Sequence, residues 1–142
     1  MFYITNSTEE TKNVGYELAK KLSREENKRR YIALRGEMGV GKTAFTAGFA
    51  SYFSISSVKS PTYTVMNEYR ADCAVIYHFD MYRITDSDDL YSIGYDDYVG
   101  TDAYMIVEWS ENIEDDIPED AIFVTIERQP EGENKRKITI DF

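Results

Sequence analysis

The residues with the clearest chemical pattern are Gly36, Gly41, Lys42 and Thr43, which fit the spacing Gly-x-x-x-x-Gly-Lys-Ser/Thr without a mismatch. Glycines allow a backbone to wrap closely around phosphates, so that successive N–H groups point inward at the anion. The lysine brings a positive charge to the β- and γ-phosphate oxygens, and the threonine hydroxyl is a ligand for Mg²⁺. The pattern predicts a loop that binds a nucleoside triphosphate together with Mg²⁺.

The segments on either side of this loop have the order that such a site needs. The run "YIALR" (31–35) is short and aliphatic, which predicts a buried strand before the loop. The run "KTAFTAGFASYF" carries Phe45, Phe49 and Phe53 four residues apart, which predicts a helix after it. The helix would direct its positive N-terminal end at the phosphates.

Two acids end predicted strands and are candidates for the metal and for the attacking water. Asp80 closes "AVIYHFD", and Glu108 closes "YMIVE". A P-loop enzyme needs a carboxylate near its metal, and Mg²⁺ takes one or two carboxylates while keeping several waters. One acid would hold the metal, directly or through water, while the other orients the attacking water. The sequence leaves open which acid has which role.

Two further polar residues have both a chemical and a structural interpretation. Thr62 follows Ser60-Pro61, so its hydroxyl is either a sensor of the γ-phosphate and Mg²⁺ on a mobile loop or an ordinary turn threonine. His78 lies two residues before Asp80 and therefore on the same face of a strand. It is equally compatible with a catalytic and a packing role.

Hydrophobic periodicity predicts the remaining elements. A strand over 2–5 precedes a helix over 7–22, in which Ser7 and Glu10 occupy capping-box positions and Val14, Leu18 and Leu22 form a buried stripe. We expect strands over "YTVMNEY" (63–69), "CAVIYHFD" (73–80) and "AYMIVEW" (103–109), a helix with a looser acidic end over "SDDLYSIGYDDYV" (87–99), and a hairpin from "AIFVTIE" (121–127) and "KRKITIDF" (135–142).

These elements predict an α/β fold with the three-layer α/β/α architecture of P-loop NTPases. Strands and helices do not alternate strictly, as they would in a purely parallel doubly wound sheet. We therefore expect a mixed sheet, parallel near the P-loop and antiparallel at the edges. With no repeat and no linker, residues 1–142 are expected to form a single domain.

Composition limits the function classes. The net charge of −10 argues against unaided binding of a nucleic-acid backbone, which needs a basic face. The chain contains no long apolar run and one cysteine, so we expect a cytoplasmic protein with no membrane segment. Cys73 is expected to begin a buried strand. A catalytic thiol is disfavoured because the only histidine, His78, follows on that strand.

Four blocks of the sequence together resemble the TsaE family, small bacterial ATPases required for the threonylcarbamoyl modification of adenosine in tRNA. The blocks are "GEMGVGKTAF", "SPTYTVMNEY", "HFDMYRI" and "IVEWSE", in this order and at these separations. The P-loop alone is unspecific, whereas the other three blocks are highly specific. The resemblance extends from the first helix to the terminal hairpin and implies a single P-loop ATPase domain.

The resemblance implies ATP as the nucleotide and Mg²⁺ bound through Thr43 and Glu108. It implies catalytic roles for Lys42, Asp80 and Glu108, switch-like roles for Thr62 and Asp80, and a position for Trp109 beside the active site. Thr11 and Arg136 match positions around the base and ribose. The residues expected to bind the nucleotide along the loop are Gly36, Glu37, Met38, Gly39, Val40, Gly41, Lys42, Thr43 and Ala44.

The resemblance also implies partners. Similar proteins act with TsaB and TsaD, and TsaD transfers the threonylcarbamoyl group to the adenosine next to the anticodon in tRNAs reading codons that begin with A. The ATPase is thought to drive or reset this machinery, and the tRNA would be held mainly by the partners. Among the departures from the family pattern, Ala44 replaces a threonine and removes one possible hydroxyl contact to the α-phosphate.

Two other functions fit the same loop. A small-molecule or nucleotide kinase would need an acceptor pocket and usually an arginine-bearing lid. Only one of the arginines after the loop, Arg83, is expected to approach the nucleotide; the others are Arg70, Arg128 and Arg136. A nucleotide sensor that does not hydrolyse ATP is the second alternative. Such a sensor would keep its function in cells when Asp80 or Glu108 is replaced by alanine.

Overall fold

The computed structural model describes residues 1–26, 29–62 and 64–142. Tyr63, which the sequence places at the start of a strand, lies outside the described residues. The elements are β1 (Phe2–Thr5), α1 (Thr8–Ser23), β2 (Tyr31–Arg35), α2 (Lys42–Ser51), β3 (Met66–Arg70), β4 (Val75–Asp80), α3 (Ser87–Ser92), α4 (Tyr95–Tyr98), β5 (Tyr104–Glu108), a 3-10 helix (Ser110–Asp116), β6 (Ile122–Arg128) and β7 (Arg136–Asp141).

Within the described residues, seven strands form one mixed sheet in the order β1-β7-β6-β2-β5-β4-β3. The P-loop strand β2 pairs in parallel with β5 and β6, and β4 pairs in parallel with β5. The pairs β1–β7, β6–β7 and β3–β4 are antiparallel. The prediction of parallel strands near the P-loop and antiparallel strands at the edges is confirmed.

Side chains alternate between the two faces of the sheet, and each face carries its own hydrophobic core. In β2, Ile32 and Leu34 pack with the helices α1 and α2, whereas Tyr31 and Ala33 pack on the opposite face. That opposite core includes Leu90 of α3, Tyr95 of α4 and Ile113 of the 3-10 helix. Helical layers therefore cover both faces, and the three-layer α/β/α prediction is confirmed.

Helix α1 begins and packs largely as its sequence predicts. Ser7 is the N-cap, and its hydroxyl oxygen accepts a hydrogen bond from the Glu10 backbone N–H at 3.1 Å. The Glu10 carboxylate accepts from the Asn6 N–H instead of the Ser7 N–H, so the cap is shifted by one residue from a standard capping box. The predicted stripe of Val14, Leu18 and Leu22 is buried.

The structure differs from the sequence predictions in the acidic region and at one turn. The helix expected over 87–99 is divided into α3 and α4 at Gly94, whose φ of 75° is left-handed. The 3-10 helix after β5 was not predicted. The prediction that Cys73 begins a buried strand is wrong, because Cys73 is exposed in the turn closed by the Ala71 N–H and the Ala74 carbonyl, and β4 begins at Val75.

Within the described ranges, every helix is too short or too polar to cross a membrane.

Candidate functional site

The glycine-containing loop joins the end of β2 to the start of α2. Gly41 has φ of 121°, a conformation that residues with a Cβ rarely adopt, and it is the N-cap of α2. Its carbonyl accepts the first intrahelical hydrogen bond from the Phe45 N–H at 2.9 Å. The helix therefore begins at the lysine and threonine of the motif, with its positive end directed at the loop.

Lys42 is buried among groups that stabilise its charge. Its side chain is 7% exposed, and its Nζ donates a hydrogen bond to the Gly36 carbonyl at 2.7 Å. The same nitrogen lies 3.7 Å from Glu108 Oε1 and 4.7 Å from the centre of the Trp109 ring. Trp109 itself has φ of 56°, a strained conformation for a residue other than glycine.

The two acids predicted at strand ends lie side by side. Asp80 and Glu108 are register partners in the parallel β4–β5 pair, and both are buried. Glu108 ends β5, the strand next to the P-loop strand β2. Asp80 ends β4, one strand further out, so both acids come from the same side of β2. Asp80 Oδ1 accepts a hydrogen bond from the Tyr82 N–H at 2.8 Å, which fixes that carboxylate after its strand ends.

His78 lies on the Asp80 face of β4, as predicted, and contacts the other acid. Its Nε2 is 2.5 Å from Glu108 Oε2, and its side chain is fully buried. Glu108 therefore has one carboxylate oxygen against the imidazole and the other toward Lys42. A carboxylate that is hydrogen-bonded through one oxygen and ion-paired through the other is held in one orientation.

A cavity of about 250 Å³ collects most of the residues predicted to do chemistry. Its lining comprises Met38, Gly39, Gly41, Lys42, Thr43, Ser60, Thr62, Asp80, Tyr82, Glu108 and Trp109. The loop, the threonine after Ser60-Pro61 and both acids therefore face one space, although they come from four separate parts of the chain.

A second, smaller cavity of about 100 Å³ lies on the other side of the loop. Its lining includes Thr11, Val40, Ala44 and Arg136, which are among the predicted nucleotide-binding residues. Gly39 and Gly41 line both cavities, so the loop separates two adjoining spaces.

Arginines approach the loop from the terminal hairpin. Arg128 donates to the Glu37 carboxylate at 2.8 Å and to the Gly39 carbonyl at 3.1 Å. Arg136 donates to the Val40 carbonyl at 2.8 Å. The prediction that only Arg83 is placed to approach the nucleotide is wrong: Arg83 is exposed and lines neither cavity, whereas Arg136 lines the smaller one. A local sequence pattern does not show which residues of the terminal hairpin contact the loop.

Two predicted loop residues do not line either cavity. Gly36 contributes its carbonyl to Lys42, and the Glu37 side chain is exposed and paired with Arg128. Conversely, Ser60 and Tyr82 line the larger cavity and were not predicted as site residues. Ser60 Oγ is 2.7 Å from Thr62 Oγ1, and the Tyr82 ring packs edge-on against Trp109 at 5.0 Å. The available signal was that each lies two residues from a predicted site residue, Ser60 from Thr62 and Tyr82 from Asp80.

This arrangement has a defined chemical capacity. The loop offers backbone N–H groups, a helix N-terminus and one buried cation, which together suit phosphate oxygens. Thr43, Asp80 and Glu108 offer hard oxygen donors in the same cavity, which suit Mg²⁺. Two adjacent carboxylates are also positioned to accept a proton from a water or hydroxyl nucleophile.

Comparison with known proteins agrees with the geometry. The family described as "Threonylcarbamoyl adenosine biosynthesis protein TsaE" matches residues 5–138. Relatives named tRNA threonylcarbamoyladenosine biosynthesis protein TsaE include one from Haemophilus influenzae, 39% identical over 72% of this chain and 66% of the relative. Another, from Bacillus subtilis, is 37% identical over 76% of this chain and 66% of the relative.

A third relative of that name, from Aquifex aeolicus, is 36% identical over 96% of this chain and 92% of its own length. The crystal structure of Bacillus subtilis YdiB superposes with a TM-score of 0.78 at 29% sequence identity, covering 99% of this chain and 83% of that one. The agreement covers the fold, the loop and the strands that carry both acids. The chain therefore belongs to the TsaE family of threonylcarbamoyl adenosine biosynthesis proteins.

Proposed function

We propose that this chain binds Mg²⁺-ATP at the loop between β2 and α2 and hydrolyses it during tRNA threonylcarbamoyladenosine biosynthesis. The observation that carries the proposal is the convergence of Lys42, Thr43, Asp80 and Glu108 on one cavity beside a helix N-terminus. A phosphate-binding loop alone would support only nucleotide binding. Two buried carboxylates facing the same space as the lysine add the groups that hydrolysis needs.

The residues present fit both ligands. The larger cavity has the loop backbone, the lysine and the two acids, which suits the β- and γ-phosphates. The smaller cavity has Thr11 and Arg136, which suits the ribose and base. Thr43 and Glu108 would hold Mg²⁺, which would neutralise negative charge on the phosphates. Oxygen donors with room for water are the set that Mg²⁺ prefers.

The lysine and the two carboxylates would have different roles in hydrolysis. Lys42 would stabilise the negative charge that grows on the phosphates as the bond from the γ-phosphorus to the bridging oxygen breaks. A water oxygen forms the new bond to phosphorus, and its proton passes to the carboxylate that orients it. Asp80 and Glu108 are the candidates, and products are ADP and inorganic phosphate.

The family supports the next step of the proposal, in which the chain serves a TsaB–TsaD transferase complex in the cytoplasm. Segments after Ser60 and after Asp80 both line the cavity, so a bound γ-phosphate would order them and hydrolysis would release them. The partner surface would change with the nucleotide. The acidic charge of this chain fits a role in which the partners, not this chain, hold the tRNA.

A reconstituted modification assay tests this proposal. TsaB, TsaD, tRNA and the threonylcarbamoyl donor are combined with ATP and with this chain, and modified adenosine is counted per transferase over time. We expect many turnovers with the unaltered chain, about one with Lys42→Ala, and many with Lys20→Ala, a lysine of α1 that lines neither cavity. Multiple turnovers with Lys42→Ala would contradict the proposal at its first step.

A further inference from the structure

The histidine beside Glu108 is part of a longer buried chain of polar groups. His78 Nδ1 lies 3.2 Å from the Tyr69 hydroxyl, on the ring edge opposite its contact with Glu108. His78 is fully buried and Tyr69 is 8% exposed. The Tyr69 hydroxyl in turn lies 2.8 Å from the Lys59 carbonyl and 3.1 Å from the Lys59 N–H.

The groups that can donate and accept decide which atom is the donor in the contact between His78 and Glu108. An ionised carboxylate only accepts hydrogen bonds, so the proton between His78 and Glu108 belongs to Nε2 of the imidazole. With Nε2 protonated, a neutral imidazole leaves Nδ1 as an acceptor for the Tyr69 hydroxyl. If Nδ1 instead donates to Tyr69, the ring is the imidazolium and the hydroxyl proton is left for the Lys59 carbonyl. Both arrangements preserve the Nε2–H bond to Glu108.

The end of this series of polar groups farthest from Glu108 is Lys59, which adjoins residues that line the cavity. Lys59 immediately precedes Ser60, and the hydroxyls of Ser60 and Thr62 lie 2.7 Å apart at the cavity. Five residues further, the Val65 carbonyl accepts a hydrogen bond from the Asp80 N–H at 2.8 Å. Lys59 is therefore linked to Glu108 through Tyr69 and His78, and Val65 is hydrogen-bonded to the backbone of Asp80.

We propose that His78 and Tyr69 are positioning residues that couple the segment carrying Ser60 and Thr62 to the Glu108 carboxylate. When the segment is seated, the Tyr69 hydroxyl holds the imidazole and the imidazole holds Glu108 toward the cavity. When the segment moves, the orientation of Glu108 is lost. The proposal rests on the proposed function, because it assigns Glu108 a role in ATP hydrolysis.

Substitutions that remove individual hydrogen-bonding groups separate this positioning role from ordinary packing. Tyr69→Phe removes the hydroxyl and keeps the ring in the core. His78→Gln keeps an N–H donor for Glu108 but has no ring nitrogen at the Nδ1 position that faces Tyr69, whereas His78→Leu has neither group. Tyr77→Phe is the matched control, because Tyr77 is next to His78 in β4, faces the opposite core and packs on Tyr98. Urea unfolding establishes that each variant is folded.

The kinetic test measures kcat and KM for ATP with the TsaB–TsaD pair present. We expect Tyr69→Phe to lower kcat by about 10-fold or more, as loss of a group supporting a metal-binding residue does, and to leave KM within about threefold. His78→Leu should lose more than His78→Gln, and Tyr77→Phe should match the unaltered chain. The Tyr69→Phe/His78→Leu double variant should lose no more than His78→Leu alone. An unchanged kcat in Tyr69→Phe, or additive losses, would overturn the proposal.

A second readout does not depend on hydrolysis. His78 is the only histidine, so ¹⁵N-histidine labelling reports its imidazole alone by NMR. Adding Mg²⁺ with a non-hydrolysable ATP analogue should shift both ring nitrogens, and Tyr69→Phe should reduce the response. No shift in the unaltered chain would overturn the proposal. If the unaltered chain hydrolyses no ATP, the proposed function fails, and this NMR result decides the coupling by itself.

Discussion

Glu108 contacts several of the other groups at the candidate site. Its two oxygens face Lys42 and His78, its backbone carbonyl accepts from the Met81 N–H, and the strained Trp109 follows it. A buried carboxylate is costly unless opposite charge and hydrogen bonds compensate, and Lys42 and His78 supply both. A carboxylate held this firmly is suited to act at a fixed position on a metal or a water.

Neutralising either acid should separate binding from hydrolysis. We expect Glu108→Gln and Asp80→Asn to lower the rate of ATP hydrolysis by about 100-fold or more while nucleotide affinity changes by less than about 10-fold, because the loop and Lys42 remain. Glu111→Gln, an exposed acid just beyond the site, is the control. Hydrolysis is followed by phosphate release and binding by Trp109 fluorescence, which reports on the chain's only tryptophan.

The same variants decide between hydrolysis and sensing. A TsaE chain that only senses ATP would still support tRNA modification in cells with Glu108→Gln or Asp80→Asn. Full modification by both variants would therefore contradict the ATPase proposal and favour the non-hydrolysing sensor.

At the residue scale, the sequence predicted the members of the site better than their contacts. Lys42, Thr43, Asp80 and Glu108 follow local rules of motif spacing and strand ends, and the structure brings them to one cavity. The pairing of His78 with Glu108 depends on the register of two strands thirty residues apart. The hydrogen bond from Arg136 to the loop likewise depends on where the terminal hairpin joins the sheet. Neither follows from local periodicity.

Helices α1 and α2 approach so closely that two glycines are required between them. A Cβ at Gly48 would lie 1.8 Å from the Lys12 carbonyl oxygen, and one at Gly15 would lie 2.1 Å from the Phe45 carbonyl oxygen. Backbone atoms cannot yield as a flexible side chain can. Because α2 carries Lys42 and α1 carries Thr11, this contact also sets the spacing of the two cavities.

Gly48→Ala should therefore destabilise the fold and weaken nucleotide binding together. We expect a loss of about 1–3 kcal/mol or more in the free energy of unfolding, measured in urea, because the helices must separate. Gly132→Ala is the matched control, since its Cβ would meet only the Lys135 Cβ at 3.5 Å. Equal stability of the two variants would show that the helices tolerate the extra methyl group.

A tyrosine pair holds the acidic layer to the sheet. The hydroxyls of Tyr31 in β2 and Tyr95 in α4 lie 2.8 Å apart, and the Tyr95 hydroxyl also lies 2.8 Å from the Asp116 carbonyl. Burial, and next the neighbouring Tyr95, raise the pKa of Tyr31 far above its ordinary value of 10.0. Burial raises the pKa of Tyr95 to about 12.

These shifts predict a loss of stability in alkali. Above pH 10 the unfolded chain loses tyrosine protons that the folded chain keeps, so the free energy of unfolding falls as pH rises. At pH 11 the raised pKa of Tyr31 lowers the free energy of unfolding by about 1.4 kcal/mol relative to neutral pH. The loss between pH 9 and pH 11, from urea unfolding, should be smaller in Tyr31→Phe than in Tyr91→Phe, whose tyrosine is 81% exposed. Identical losses would count against a buried protonated pair.

At the element scale, strands were easier to predict than the short helices. Alternating or continuous apolar runs identified the seven strands found in the described residues. The incomplete alternation of strands and helices predicted a mixed sheet, parallel near the loop and antiparallel at the edges. The 3-10 helix and the α3–α4 break arise in the acidic segment, where few apolar residues mark a period. Their conformation is set by the core beneath them, which includes Ile113 and Tyr95, and sequence spacing does not reveal that core.

The charge of the whole molecule is concentrated in one part of the chain. From Asp80 to Asp120 the sequence has 14 acidic residues and one basic residue, whereas the remainder has 12 acidic and 15 basic residues. This part supplies α3, α4 and the 3-10 helix, which pack on one face of the sheet. In the proposed cycle, it is the surface that an electrostatically complementary partner would contact.

Neutralising exposed acids there should weaken partner binding. We expect the triple variant Asp88→Asn, Asp96→Asn, Asp97→Asn to bind the TsaB–TsaD pair about 10-fold less tightly at low salt, with the difference shrinking as salt is added. A variant with Glu127→Gln, Glu131→Gln and Glu133→Gln, exposed acids at the terminal hairpin, removes the same charge elsewhere. Equal binding by the two variants, measured by surface plasmon resonance, would exclude the acidic layer as the contact.

The most direct test of the account is ATP hydrolysis by the purified chain, alone and with the TsaB–TsaD pair, with Lys42→Ala as the control. We predict slow release of phosphate by the chain alone, a clear rise when the pair is added, and loss of the rise in Lys42→Ala, because the lysine stabilises the phosphate charge. The contradicting result is an absence of any rise with the pair while phosphate appears on an added small molecule, which would identify a kinase.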